Sequence, residues 1–359
     1  MDVILMHQTI TKHDAIGNDI NKMYYILKDY GESYVYCDYL FNENLNKVEE
    51  DKIDKIINIP DNLIIYHHSS HWKKGEEILK RANCKIIFRY HNITPESFFE
   101  LYNQEYYEKC KLGREQTDRF IRDYPNNLWM SDSKYNAEDL KEAKNICIVP
   151  PFHEIENWKN IKPNEDIMKS LIYSEDVNLL FIGRVVPNKA HLEMIEVVRN
   201  YVENYDKNIK LYILGKFDQA LEKYTLEINS AIRLYGLEDN IQFIGEVNDN
   251  ILVSYYLGCD TFLCLSNHEG FCVPVLEAQS LNLPVVAKNM GALGETLGDT
   301  QILLGDNICE YAAAIKILKD NTEYKDYVTT NGYVNYRERF NFEINEKAFK
   351  KYLKEYIGE

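Results

Sequence analysis

Short apolar runs alternating with longer helix-patterned stretches constrain this chain more than any other feature. In its first half the runs fall at residues 3–6, 33–37, 63–66, 85–90, 127–130 and 146–149, with helical patterns such as 19–28 and 75–82 between them. The second half repeats the theme at 179–182, 210–214, 241–244, 261–265, 285–287 and 302–304. Runs of this length without polar alternation are strands covered on both faces. Strands joined through helices pair in parallel, because a crossover returns the chain in the same direction. The pattern therefore predicts an α/β chain with two doubly wound sheets. Residues 152–177, rich in Asn, Lys, Glu and Ile and carrying Pro163, read as a linker with room for one helix. Residues 342–357 read as a helix with Phe349, Tyr352, Leu353 and Tyr356 on one face.

The bulk properties agree with this and exclude some functions. A chain of 359 residues with 45% hydrophobic residues can bury two cores. A formal net charge of −16 argues against a general nucleic-acid binder, which needs a basic face. The eight cysteines include no CxxC pair, and Cys147, Cys259 and Cys264 sit in apolar runs where a thiol acts as a small hydrophobe. A reduced, cytoplasmic setting is the expectation. Residues 1–8 do not read as a signal peptide, and no apolar run approaches the roughly 20 residues needed to span a bilayer.

Chemistry concentrates in residues 268–277, HEGFCVPVLE. The run at 261–265 is a strand, Pro274 suits a first helical turn, and Val275, Leu276, Ala278 and Leu281 continue a helical pattern. Glu269 thus sits in a loop and Glu277 one turn into a helix. The backbone amides of Gly270, Phe271, Cys272 and Val273 lie between them. A helix N-terminus attracts phosphate, whereas a carboxylate on either side accepts hydrogen bonds from hydroxyls. A phosphate centre with a polyol at each end, as in a nucleotide sugar, fits that pattern. Arg184 and Lys189 follow another strand end, where Gly183 allows close approach. A basic pair there suits a diphosphate.

These segments resemble the retaining GT-B glycosyltransferases of family 4, the group 1 enzymes. HEGFCVPVLEA resembles their E-x7-E signature, and LFIGRVVPNK at 180–189 their strand–Gly-Arg–loop–Lys element. RYHNITP at 89–95 and DAIGND at 14–19 resemble the histidine loop and the first glycine loop of one branch, although many members have two glycines where this chain has only Gly17. Phe243–Gly245, Tyr255–Tyr256 and Glu295–Thr296 fall where matching pieces are placed. The resemblance implies a GT-B fold, two Rossmann-like doubly wound domains facing each other across a cleft. The acceptor domain would span 1–165, the nucleotide-sugar donor domain 166–341, and the helix at about 342–359 would pack back on the first.

The resemblance also implies roles. Arg184 and Lys189 would stabilise the departing diphosphate, Glu269 and His91 would contact the donor sugar, and Glu277 would hold the ribose. Gly183, Gly17 and the amides of Gly270 to Val273 would lie beside the donor. Backbone around Gly215 and Val247 would contact the base. Catalysis would need no metal and no cofactor beyond the donor, a UDP- or GDP-sugar. The acceptor would be a glycan or lipid-linked hydroxyl, in polysaccharide or glycoconjugate synthesis. The alternatives are another GT-B enzyme, such as a nucleotide-sugar epimerase, and a non-catalytic subunit of a glycosylation complex.

Two further clusters carry weaker readings. His67, His68 and His71 (HHSSH) lack metal-ligand spacing, since adjacent histidines do not share one helical face. They are expected to line the acceptor side of the cleft. Lys109, Lys111, Arg114, Arg119 and Arg122, near Phe98, Phe99, Leu101, Tyr106 and Tyr107, suggest peripheral contact with an anionic membrane at its inner face.

Overall fold

The computed structural model describes residues 1–12, 14–158 and 160–358. The chain forms two compact units. Unit 1 comprises Met1–Glu96, Glu105–Glu154 and Asn341–Glu359; unit 2 comprises Ser97–Gln104 and Ile155–Phe340. The linear reading, with one cut at 165/166, gives way to a division at Glu154/Ile155. It also places Ser97–Gln104 with unit 2. There Tyr102 donates to Glu227 at 2.8 Å, Asn103 to the carbonyl of Ala220 at 2.8 Å, and Lys223 to the carbonyl of Leu101 at 2.7 Å.

The six-stranded sheet of unit 1 is built from β1 (Val3–Met6), β2 (Ser33–Tyr36), β3 (Leu63–His68), β4 (Lys85–Tyr90), β5 (Leu128–Ser131) and β6 (Ile146–Ile148). They pair in parallel in the order β2-β1-β3-β4-β5-β6. Every residue of β1 and β3 is buried, as a sheet covered on both faces requires. One face packs on Ile20, Met23 and Leu27 of the helix Ala15–Leu27 and on Phe349 and Leu353 of the helix Phe342–Ile357. The other packs an aromatic cluster that includes Tyr66, Trp72, Phe88, Phe120 and Trp129. The rings of Phe88 and Trp129 stack with centroids 4.4 Å apart.

Unit 2 holds β7 (Val177–Ile182), β8 (Ile209–Leu214), β9 (Ile241–Gly245), β10 (Thr261–Cys264), β11 (Val285–Lys288) and β12 (Ile302–Leu304). Its parallel order, β9-β8-β7-β10-β11-β12, is the Rossmann arrangement. The order reverses between β7 and β10, where the crevice beyond the strand ends accepts ligands. The stretch read as a linker contains two helices, Ile155–Trp158 and Glu165–Ile172, the second capped by Asn164. Trp158 and Leu171 are buried in the core of unit 2.

Backbone contacts at the strand ends of unit 2 are close enough to specify residue type. The amide of Gly183 donates to the carbonyl of Leu214, and that of Gly215 to Gly245, both at 2.9 Å. A Cβ at Gly215, where φ is 151°, would stand 1.9 Å from the carbonyl oxygen of Gly183. Gly215→Ala is therefore expected to destabilise unit 2 by roughly 1–3 kcal/mol, the usual cost of overpacking. Urea unfolding with an unchanged midpoint would contradict this.

Candidate functional site

The loops leaving β7 and β10 flank the switch point of unit 2 and are tied together. Beyond β7 the chain passes Arg184, forms one tight turn over Pro187–Lys189, and enters the helix His191–Asn204 through Ala190 in left-handed conformation, φ 58°. The amide of Asn267 donates to the carbonyl of Asn188 at 2.9 Å, and Asn188 Nδ2 donates to the carbonyl of His268 at 3.3 Å. Lys288, at the end of β11, donates to Asn267 Oδ1 at 2.7 Å. These bonds hold Lys189 against Glu269, with Nζ 2.5 Å from Oε1. Burial opposes the ammonium, but Glu269 and the nearby sulfurs of Cys272 and Cys264 outweigh it and raise the Lys189 pKa above its ordinary value.

Glu269 itself is fixed through its backbone. Its carbonyl accepts from the amide of Ala292 at 3.0 Å, in the loop after β11. Thr296 Oγ1 donates to the carbonyl of Phe271 at 2.8 Å. The chain then turns at Cys272, φ 73°, into the helix Val273–Ser280, with Pro274 in its first turn. The opening N–H groups of any helix have no intrahelical acceptor, so this helix start presents donors. Glu277 follows, and Tyr256 donates to its Oε2 at 2.6 Å. Burial first, then the Glu277 carboxylate, pushes the Tyr256 phenol well above its usual range, so it stays a donor.

Arg184 is exposed at the start of the loop, Gly183 and Gly215 form the crossed strand ends, and Val247 is half-buried just past β9. Unit 2 thus brings Lys189 to Glu269, carries Gly183, Arg184, Gly215, Val247, Gly270, Phe271 and Cys272 on the loops after its strands, and places Val273 and Glu277 in the helix that follows β10. His91 and Gly17 belong to unit 1.

Within unit 1, Gly17 lies in the first turn of the helix Ala15–Leu27 and donates its amide to the capping Asp14 side chain at 2.6 Å. A Cβ there would stand 2.1 Å from the carbonyl oxygen of Thr11, so only glycine fits. His91 follows β4 and sits in a buried polar network. Its Nδ1 is 3.0 Å from Asp132 Oδ2 and its Nε2 is 2.8 Å from His67 Nδ1, with the two rings stacked 5.1 Å apart. Burial above all holds His67 well below the ordinary histidine range, hence neutral. Arg89 completes the network, with Nε 2.9 Å from Asp19, NH2 2.8 Å from Asp132 and NH1 2.6 Å from the Val149 carbonyl.

His68 departs from the expectation that the histidine run lines the acceptor side of the cleft. Both His67 and His68 extend β3, and His68 is fully buried, 2.8 Å from Thr117 and against the ring of Phe120. Burial lowers its pKa to about 3. The basic run on the helix Gln104–Asp123 is partly internal to unit 1, because Arg119 pairs with Glu76 at 3.3 Å. Sequence reasoning did not single out Asp132, Asn267 or Lys288, and read Asn188 only as a turn residue. Asn188 and Asn267 each stand beside a residue it did name, and this adjacency was the only signal.

Two parallel, doubly wound units of this kind define the GT-B fold. Anabaena HepE, solved in complex with UDP, shares it with a TM-score of 0.76 at 15% identity, over 99% of this chain and 100% of that one. Residues 163–334 match the family model described as "Glycosyl transferases group 1". The D-inositol 3-phosphate glycosyltransferase of Geodermatophilus obscurus is 23% identical over 57% of this chain and 47% of its own length. The capsular polysaccharide biosynthesis glycosyltransferase CapM of Staphylococcus aureus is 26% identical over 50% of this chain and 47% of its own. The chain thus spans about half the length of these two relatives, and the matched residues 163–334 all lie in unit 2. No described helix is long and apolar enough to cross a membrane.

Proposed function

We propose that this protein transfers a glycosyl unit from a nucleotide diphosphate sugar to an acceptor hydroxyl with retention of anomeric configuration, as a member of glycosyltransferase family 4. The Lys189–Glu269 pair at the switch point, beside a helix start and a tyrosine-held Glu277, carries this reading. Arg184 and Lys189 offset charge on the departing diphosphate, aided by the amides of Phe271 to Val273. The bond from the anomeric carbon to the phosphate oxygen breaks as the acceptor oxygen bonds to that carbon from the same face. The leaving phosphate takes the acceptor proton. Glu269 contacts sugar hydroxyls, and Glu277 the ribose. The fixed cations and the helix dipole supply what a divalent ion supplies elsewhere, so turnover needs no metal.

The relatives named for capsular polysaccharide synthesis support a glycan or lipid-linked acceptor, and the HepE complex supports a uridine donor. The test is a thermal-shift screen across UDP, GDP, ADP and dTDP, followed by turnover with sugars of the base selected. A nucleoside diphosphate should stabilise the protein, and proton NMR should show the donor's anomeric configuration kept in the product. Tyr256→Phe should weaken nucleotide binding by about 2- to 10-fold, the value of one hydrogen bond. Stabilisation by none of the four would sink the reading, and epimerised donor without transfer would replace it with the epimerase alternative.

A further inference from the structure

We propose that Cys264, Glu269 and Cys272 form a site for a thiophilic divalent cation, with zinc as reference ion, whose occupation competes with Lys189 for Glu269. The two Sγ atoms and a Glu269 carboxylate oxygen lie within 4.8 Å of one another. Tetrahedral zinc takes thiolates at about 2.3 Å and carboxylate oxygen at about 2.0–2.2 Å, so its ligands stand between 3 and 4 Å apart, roughly. Small side-chain movements close that difference. The backbone is already set, since Cys264 ends β10, Ala292 holds the Glu269 carbonyl, and Cys272 occupies the left-handed turn into the helix.

A second group, Asp19, His67 and His91, also gathers within 4.8 Å. There the cation is built in, because Arg89 lies 2.9 Å from Asp19, is fully buried and cannot lose its proton. Near Cys264 the resident cation is a lysine, a flexible point charge whose side chain is 21% exposed. It can swing outward, and its opening is also the access route for an ion. Two thiolates and a carboxylate bring three negative charges, which a dication offsets better than one ammonium. Zinc and the nucleotide diphosphate therefore make opposed demands, since the first expels Lys189 and the second requires it. Only this inhibitory consequence rests on the reading of function above; binding itself does not.

The experiment is a Co²⁺ titration of the full chain, followed by the near-ultraviolet thiolate-to-cobalt charge-transfer band and competed with Zn²⁺. Wild type should show the band at one equivalent. Cys264→Ser and Cys272→Ser should each lose it and weaken Zn²⁺ binding by more than about 100-fold, because loss of supporting residues alone costs 10- to 100-fold. Cys309→Ser, at an exposed thiol, should match wild type. Lys189→Met should bind the ion more tightly; unchanged affinity would overturn the competition. A band that persists in the Cys264→Ser/Cys272→Ser double variant, or is absent from wild type, would overturn the site. A normal band with no turnover on any donor would keep the site and discard the enzymatic reading.

Discussion

Lys189→Ala is expected to lower kcat/KM for glycosyl transfer by about 30- to 1,000-fold, on the order of 2–4 kcal/mol of transition-state stabilisation. In the proposed reaction negative charge grows on the leaving diphosphate, and Lys189 is the partly buried cation beside the helix start. A partly water-excluded ammonium is worth more than one in bulk solvent, because the surrounding dielectric is lower. The effect should appear in kcat more than in KM, since the charge that Lys189 meets develops as the bond breaks. Lys189→Arg should recover only part of the loss, because a planar guanidinium does not fit where a compact ammonium meets Glu269. Steady-state kinetics at saturating acceptor, with circular dichroism to show retained fold, measure both. Turnover within twofold of wild type would remove Lys189 from the mechanism.

The fold was largely legible because strands in a twice-covered sheet must be apolar throughout, and polar residues then mark their ends. The runs at 3–6, 85–90 and 302–304 coincide with β1, β4 and β12. The rule fails where a polar residue is buried. β3 continues through His67 and His68, beyond the apolar run at 63–66, with Thr117 partnering one nitrogen of the His68 ring. The short pair Thr9–Ile10 with Tyr39–Leu40 escaped because two residues make no periodic signal. Ser97–Gln104 gave no sign of joining unit 2, since the bonds from Tyr102 to Glu227 and Asn103 to Ala220 span more than a hundred residues of sequence.

The site divides along the same line. Glu269, Glu277, Arg184 and Lys189 stood out because each follows a strand end at motif spacing. The meeting of Lys189 with Glu269 could be expected from the switch-point rule alone. The network around His91 could not. Asp19, His67, Arg89 and Asp132 come from four separate segments, and nothing in a linear pattern pairs one carboxylate rather than another with a buried arginine.

That network sets the second large effect. Asp19→Ala is expected to destabilise unit 1 by on the order of 3–5 kcal/mol, the usual cost of removing one partner from a buried ion pair. Asp19 and Arg89 are both fully buried, and Asp19 accepts from Arg89 Nε at 2.9 Å and from the amide of Phe152 at 2.8 Å. The alanine leaves the guanidinium with Asp132 as its remaining carboxylate and strands a buried backbone donor. For a unit of this size the melting temperature should fall by roughly 10 °C. Arg89→Met alone should be about as damaging, because it buries two carboxylates without their cation. The double variant Asp19→Leu/Arg89→Met should be markedly more stable than the sum of the single changes, since each single cost is mostly the stranded partner. Urea unfolding followed by tryptophan fluorescence, in a Trp158→Phe background that silences unit 2, reads unit 1 through the buried Trp72 and Trp129. Strict additivity in that cycle would mean the pair is not coupled, and the orientation of His91 through Asp132 would then need another source.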